Sequence, residues 1–143
     1  MKLYASPLQG FTEAPWRNIH HELFGGIDAY YTPFVRVEKG EFRNKDIRDI
    51  EKENNKVTCL IPQLIASTPA ELEKLVGLFL ERGYHEADIN MGCPFPLLTM
   101  RHKGSGILPY PSEVKVLLNE LAHYPEMKFS VKMRLGWEYY DEW

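Results

Sequence analysis

Apolar positions along the chain fall into two alternating kinds of run. Short dense stretches read as strands. Leu3 to Leu8 is the first, ended by Pro7, and Ile27 to Pro33, rich in tyrosine, is the second. Val57 to Ile65 is the third, His85 to Asn90 the fourth, and Lys128 to Leu135 the fifth. Between them apolar residues recur at helical spacing. Thr12 is placed as an N-cap, with Pro15 in the first turn of a helix reaching about Leu23. Thr68-Pro69-Ala70-Glu71 forms a capping box, followed by Leu72, Leu75, Val76, Phe79 and Leu80 and stopped at Gly83. Ser112 to His123 repeats the pattern through Val114, Leu117, Leu118 and Leu121. Residues 36 to 56 carry 13 charged side chains of nearly balanced sign, which predicts a solvated connection, helical or irregular. Residues 95 to 110 read as a long glycine-containing loop.

Strands separated by helices pair in parallel through right-handed crossovers, so the fold class is α/β. A doubly wound sheet and a (β/α)8 TIM barrel both satisfy the order. A complete barrel takes roughly 250 residues. The chain has 143, which holds about five strands, so the barrel reading makes residues 1–143 the N-terminal part of one.

Bulk composition narrows the function. The apolar share is 44% and the net charge −3. The first suffices for a core, and the second gives no general basic field for nucleic acid. Cys59 and Cys93 lie in different strand-like runs, which predicts no disulfide framework and a reducing, cytoplasmic setting. No apolar run approaches the ~20 residues of a membrane span, and the N-terminus shows no signal-peptide core. Nothing follows to cover the fifth strand, so the sequence is expected to be a piece of a longer protein, and the raw edge to favour self-association.

The chemistry gathers at strand ends. Pro7, Leu8 and Gln9 end the first strand, Gln63 lies near the end of the third, Asn90 and Cys93 close the fourth, and Lys132 and Arg134 share one face of the fifth. Gly92 and Pro94 flank Cys93 where a regular strand cannot continue, which holds a thiol over the sheet. Cys59, inside an apolar run, reads as core. A lysine facing a barrel interior needs a partner, and an anionic cofactor could supply it. Arg101-His102-Lys103 before Gly104-Ser105-Gly106 is a basic flexible loop, read as a mobile lid or a phosphate contact but lacking Walker spacing. The five histidines show no metal-ligand spacing, so no metal is expected.

Taken in order, Ser6-Pro7-Leu8-Gln9-Gly10, Thr32-Pro33-Phe34-Val35-Arg36, Pro62-Gln63-Leu64, Asp88-Ile89-Asn90-Met91-Gly92-Cys93-Pro94, Lys103-Gly104-Ser105-Gly106 and Val131-Lys132-Met133-Arg134-Leu135-Gly136-Trp137 resemble the tRNA-dihydrouridine synthases. The resemblance covers nearly the whole chain. It implies an FMN-bearing (β/α)8 barrel, followed in the family by a helical tRNA-binding domain, that reduces the C5–C6 bond of uridine in tRNA with NADPH as reductant. Cys93 would be the general acid toward C5, a role open to a thiol that is protonated at neutral pH. Asn90 would bond the uracil edge and Arg134 would help place the nucleotide. Gln63 and Lys132 would contact the flavin ring, with Pro7, Leu8 and Gln9 lining it. Leu8 stands where the family often has Met. This chain alone is expected to be inactive. The rivals are an FMN barrel oxidoreductase of the dihydroorotate or dihydropyrimidine dehydrogenase type and a catalytically silent, self-associating partial barrel.

Overall fold

The computed structural model describes residues 1–142. In chain order the elements are β1 (Tyr4–Ala5), α1 (Ala14–Leu23), β2 (Ala29–Tyr31), β3 (Val37–Glu38), β4 (Glu41–Phe42), α2 (Asn44–Ile50), β5 (Leu60–Ile61), β6 (Gln63–Leu64), α3 (Pro69–Glu81), β7 (Glu86–Met91), α4 (Pro96–Thr99), α5 (Pro111–Glu120) and β8 (Lys128–Met133). The class is α/β, as the alternation predicts. Two parallel sheets, β1-β2-β5 and β6-β7-β8, are joined by the unbroken stretch from Leu60 to Leu64, and β3 and β4 form a small antiparallel hairpin. Among the described residues the strands do not close into a barrel.

The predicted third strand is divided at Pro62, for a local reason. Proline has no N–H to give a ladder. On one side Cys59 and Ile61 carbonyls accept from Tyr30 and Thr32, facing β2. On the other, the Pro62 carbonyl accepts from Asp88, facing β7. The chain thus changes partner sheets while keeping its direction, and Gln63 emerges beside Asp88 with its N–H donating to Thr32 Oγ1 at 3.0 Å.

The principal core lies on one side of β6 and β7. Leu64, Ala87, Ile89 and Met91 belong to one buried cluster with Leu72, Leu75, Val76 and Phe79 of α3 and Leu117 of α5. Strand alternation then puts Asp88 and Asn90 on the opposite side, away from the helices. β8 follows β7 residue for residue, so Lys132 lies opposite Asn90 and Ser130 opposite Asp88.

α3 starts as the capping box requires. The Thr68 hydroxyl accepts from the Glu71 N–H, and Glu71 reaches back to the Ser67 N–H, one residue beyond the cap itself. α1 departs from expectation. Its cap residue is Glu13, not Thr12, and the Thr12 hydroxyl turns back to Leu8. The first-turn Ala14 N–H instead donates to Asp49 Oδ1 at 2.6 Å. The charged connection is likewise not simply solvated. Arg17 is wholly buried and binds Asp49, Asn55 and the Thr12 carbonyl, while Asp46 and Ile50 of α2 are also buried. A free guanidinium could not be buried there, so the acidic and amide groups of this segment are drawn inward around it.

Candidate active site

Cys93 stands just beyond β7, and its backbone is tied on both sides. Its N–H donates to Asn90 Oδ1 at 2.9 Å, and the Gly92 N–H donates to the same oxygen at 3.1 Å. Its carbonyl accepts from the Ser105 N–H at 3.0 Å and the Ser105 hydroxyl at 3.1 Å. The half-buried side chain packs against Phe34, Ile65 and Leu98, leaving the thiol as the one group of this residue not consumed by the fold.

The segment after Cys93 is a correction to the sequence reading. It folds as α4 and a 3-10 turn over Gly104–Ile107, all four residues of the turn buried, rather than as a mobile basic lid. Lys103 is buried and its ammonium meets Glu71 Oε1 at 2.6 Å, so its charge is committed to the start of α3. The glycines follow from the close approach. A Cβ on Gly104, whose φ is +61°, would lie 2.5 Å from the Cys93 carbonyl oxygen. Gly104→Ala is expected to cost at least about 2 kcal/mol, combining left-handed strain with overpacking. Urea titration of the wild-type and variant proteins measures it, and a change under about 0.5 kcal/mol would mean that the turn can retreat from Cys93.

Asn90 is joined by side chains to its neighbours on the same face of β6, β7 and β8. Its Nδ2 donates to Gln63 Oε1 at 2.8 Å. Gln63 Nε2 donates to Asp88 Oδ2 at 2.6 Å, and the Ser130 hydroxyl donates to Asp88 Oδ1 at 2.6 Å. Gln63, Asp88 and Asn90 are all buried. Burial pushes the Asp88 carboxyl above its ordinary range, while the Ser130 and Gln63 hydrogen bonds and the Lys132 charge pull it back. Sequence reasoning quoted Asp88 and gave it no role. The available signal was its position two residues before Asn90, which in a strand means the same face.

A recess of about 250 Å³ opens on this polar face, lined by Tyr4, Ser6, Pro7, Tyr31, Asp88, Ser130, Val131 and Lys132. Pro7, just after β1, and Lys132, of β8, thus border one space with Asp88. Leu8 is exposed on the following loop. Gln9 Oε1 is buried without a hydrogen-bond partner among the described residues. Arg134 lies past the end of β8, exposed, its Cγ 3.6 Å from where a Cβ on Gly92 would stand. Gln63, Asn90 and Cys93 therefore form one connected group, Pro7 and Lys132 border the recess beside it, and Leu8, Gln9 and Arg134 neither line that recess nor hydrogen-bond to the group.

Cys59 is half-buried rather than core, at the far end of the strands in a groove with Lys52, Asn55 and Tyr84. Burial raises its thiol above the usual range and carries the Tyr84 phenol up to about 12. No helix among the described residues is long and apolar enough to cross a membrane.

The profile of the family described as Dihydrouridine synthase (Dus) matches residues 3–142. The chain is similar to the tRNA-dihydrouridine synthase B of Klebsiella pneumoniae, 27% identical over 137 residues, which is 96% of this chain and 42% of that protein. Those of Shigella flexneri and Escherichia coli strain K12 are each 27% identical over 136 residues, 95% of this chain and 42% of theirs. The chain spans about 42% of the length of these curated relatives. With nearly every described residue inside the family's profile, the chain belongs to the dihydrouridine synthase family.

Proposed function

We propose that residues 1–143 are the N-terminal part of an FMN-binding (β/α)8 barrel in a cytoplasmic tRNA-dihydrouridine synthase, an oxidoreductase that reduces the C5–C6 bond of uridine in tRNA. The observation that carries the reading is Cys93, its backbone fixed by three hydrogen bonds to Asn90 and Ser105 and its thiol free, at the end of the strand whose inner face borders the Lys132 recess. Strands in sequential parallel order, with polar side chains on one face and helices on the other, suit a barrel segment. Val131 and Met133, 40% and 53% exposed on the helix side of β8, form the surface that a following helix of the barrel would cover, or a second copy in its absence.

The recess fits a flat ring with an anionic edge: Pro7 gives an apolar wall and Lys132 a cation. Pro7, Leu8, Gln9, Gln63 and Lys132 would hold FMN, which when bound supplies a hydride to uridine C6 and is reloaded by NADPH. Lys132 then sets positive charge at the ring edge. Gln63 keeps one amide N–H and one lone pair free, its other two sites being filled by Asp88 and Asn90. Asn90 has both Oδ1 positions occupied and retains one N–H for the uracil edge. Arg134, exposed beside Gly92, would be able to meet a phosphate or base. Cys93 delivers the proton to C5. The exposed Phe95, Leu97 and Met100 beside it, with exposed Arg101, offer surfaces on which unstacked RNA bases can lie.

The full-length protein is the material for the test. It is expected to retain FMN with perturbed absorbance bands, and Lys132→Ala to weaken FMN binding about tenfold, the worth of one charge-assisted contact. Unchanged flavin affinity in Lys132→Ala would remove Lys132 from the cofactor site. Reduction of free pyrimidines but not of tRNA by NADPH would replace the proposed substrate. The 143-residue chain is expected to show no uridine reduction of its own.

A further inference from the structure

We propose that Asp88 is a positioning residue for the chemistry at Cys93, its carboxylate fixing the orientation of the two amides that hold the Cys93 turn. This rests on the reading of Cys93 as the reacting thiol. The sequence of bonds runs Ser130–Asp88–Gln63–Asn90 and ends on the Gly92 and Cys93 N–H groups. Its two ends have fixed polarity. An ionised carboxylate only accepts, and a backbone N–H only donates. The two amides between them can each turn over, exchanging donor for acceptor, and nothing intrinsic to an amide selects one orientation.

The selection comes from the ends. Because Asp88 accepts, Gln63 must present Nε2 to it and therefore Oε1 to Asn90. Asn90 must then present Nδ2 to Gln63, which leaves Oδ1 for the turn. Had Gln63 turned over, its Nε2 would meet Asn90 Nδ2, or Asn90 would turn as well and set an N–H against the N–H groups of Gly92 and Cys93. Either arrangement leaves buried donors facing donors, a costly state where no water replaces the lost partner. Asp88 thus excludes the arrangement in which the turn loses its acceptor. The Ser130 hydroxyl and the Gln63 amide both donate to this carboxyl, at 2.6 Å each, so both of its oxygens are held as acceptors.

The test compares Asp88→Ala with Asp88→Asn in the full-length protein. Asn can keep the sequence of bonds intact, with Oδ1 toward Gln63 and Nδ2 toward the Ser130 hydroxyl, which can accept. Ala removes the acceptor. In flavin-free protein, peptide-resolved alkylation by iodoacetamide gives the ratio of Cys93 to Cys59 reactivity. Cys59, at the other end of the strands, corrects for general loosening. Asp88→Ala is expected to change this ratio about fivefold or more and Asp88→Asn by no more than about twofold. In the holoenzyme, Asp88→Ala is expected to lower kcat about tenfold or more, with the KM for tRNA within about twofold and activity largely restored in Asp88→Asn. If Asp88→Ala does not fold, Asp88→Leu, which fills the volume without an acceptor, is read in the same way. If that also fails, a kcat loss beyond about fivefold in Asp88→Asn overturns the proposal and a smaller one supports it. Equal losses in the Ala and Asn variants would overturn it by showing that the charge acts, not the acceptor. An unchanged alkylation ratio in Asp88→Ala would overturn it directly. Should Cys93→Ala retain uridine reduction, the functional reading fails instead, and the alkylation ratio still reports on the amides.

Discussion

Cys93→Ala is expected to lower kcat for uridine reduction in tRNA by about 10²- to 10⁴-fold, the range over which a positioned general acid acts. The proposed reduction would add a hydride at C6 and a proton at C5, and the proton needs a donor on the reacting side. Cys93 supplies the only group of its turn that is free to give one. Its N–H is held by Asn90 and its carbonyl by Ser105, so replacing the thiol removes no hydrogen bond from the turn. What is lost is a half-buried sulfur against Phe34, Ile65 and Leu98, a small change in packing. The expected signature therefore separates: kcat falls, the KM for tRNA stays within about twofold, and NADPH oxidation with an artificial acceptor proceeds as in the wild type. After donation the thiolate must recover a proton, and exposed Pro94 and Phe95 leave the turn open to water. Single-turnover reduction followed by nucleoside analysis measures the step. A Cys93→Ala protein working within about threefold of the wild type would end the general-acid assignment.

The parts of this site legible in the sequence are those whose causes are local. Gly92 and Pro94 mark the end of a strand whatever lies elsewhere, and they located Cys93 correctly beyond β7. Thr68, Pro69 and Glu71 carry the start of α3 within four positions. Pro62 held the signal for the divided third strand, since a proline cannot serve a ladder on both sides. Other features depend on partners far along the chain. The α1 cap comes from Asp49, 35 positions after Ala14. Lys103 finds Glu71 across 32 positions, and a basic glycine-rich stretch without that partner looks mobile. A period-two pattern places Asp88 and Asn90 on one face, yet says nothing of Gln63, 25 positions before Asp88, on which their bonding depends. The charged connection misled for the same reason. Balanced charge is the usual mark of a solvated segment, and only the folded chain shows that Arg17 of α1 organises it from inside.

Arg17→Ala is accordingly expected to destabilise the protein by about 3–5 kcal/mol, the effect of removing one partner from a buried ion pair. The guanidinium is 0% exposed. Its Nη1 donates to the Thr12 carbonyl at 2.7 Å and Asp49 Oδ2 at 3.1 Å, its Nη2 to the Asp49 carbonyl at 2.8 Å, and both Nε and Nη2 to Asn55 Oδ1. Truncation strands these acceptors in a space that water enters poorly, and it also frees Asp49 from the place where it caps α1. At about 3 °C per kcal/mol for a domain of this size, the melting temperature should fall by roughly 10–15 °C. Arg17→Lys keeps the charge without the planar fork, so it should recover only part of the loss. The double variant Arg17→Met, Asp49→Leu should be less damaging than Arg17→Ala, because no charge is left unpaired, although the missing cap and the stranded Thr12, Asp49 and Asn55 oxygens should still cost about 2 kcal/mol or more. A Tm change under about 3 °C in Arg17→Ala would show that the cluster is dispensable. The consequence reaches the site by a short route. Thr12 closes the loop that carries Pro7, Leu8 and Gln9, and the Leu8 N–H donates to its hydroxyl at 2.8 Å. Releasing the Thr12 carbonyl from Arg17 loosens the segment proposed to line the flavin, so Arg17→Ala should weaken FMN retention below the melting transition as well. Arg17→Lys should fall between, and a variant that melts early yet binds FMN as tightly as the wild type would separate the two effects.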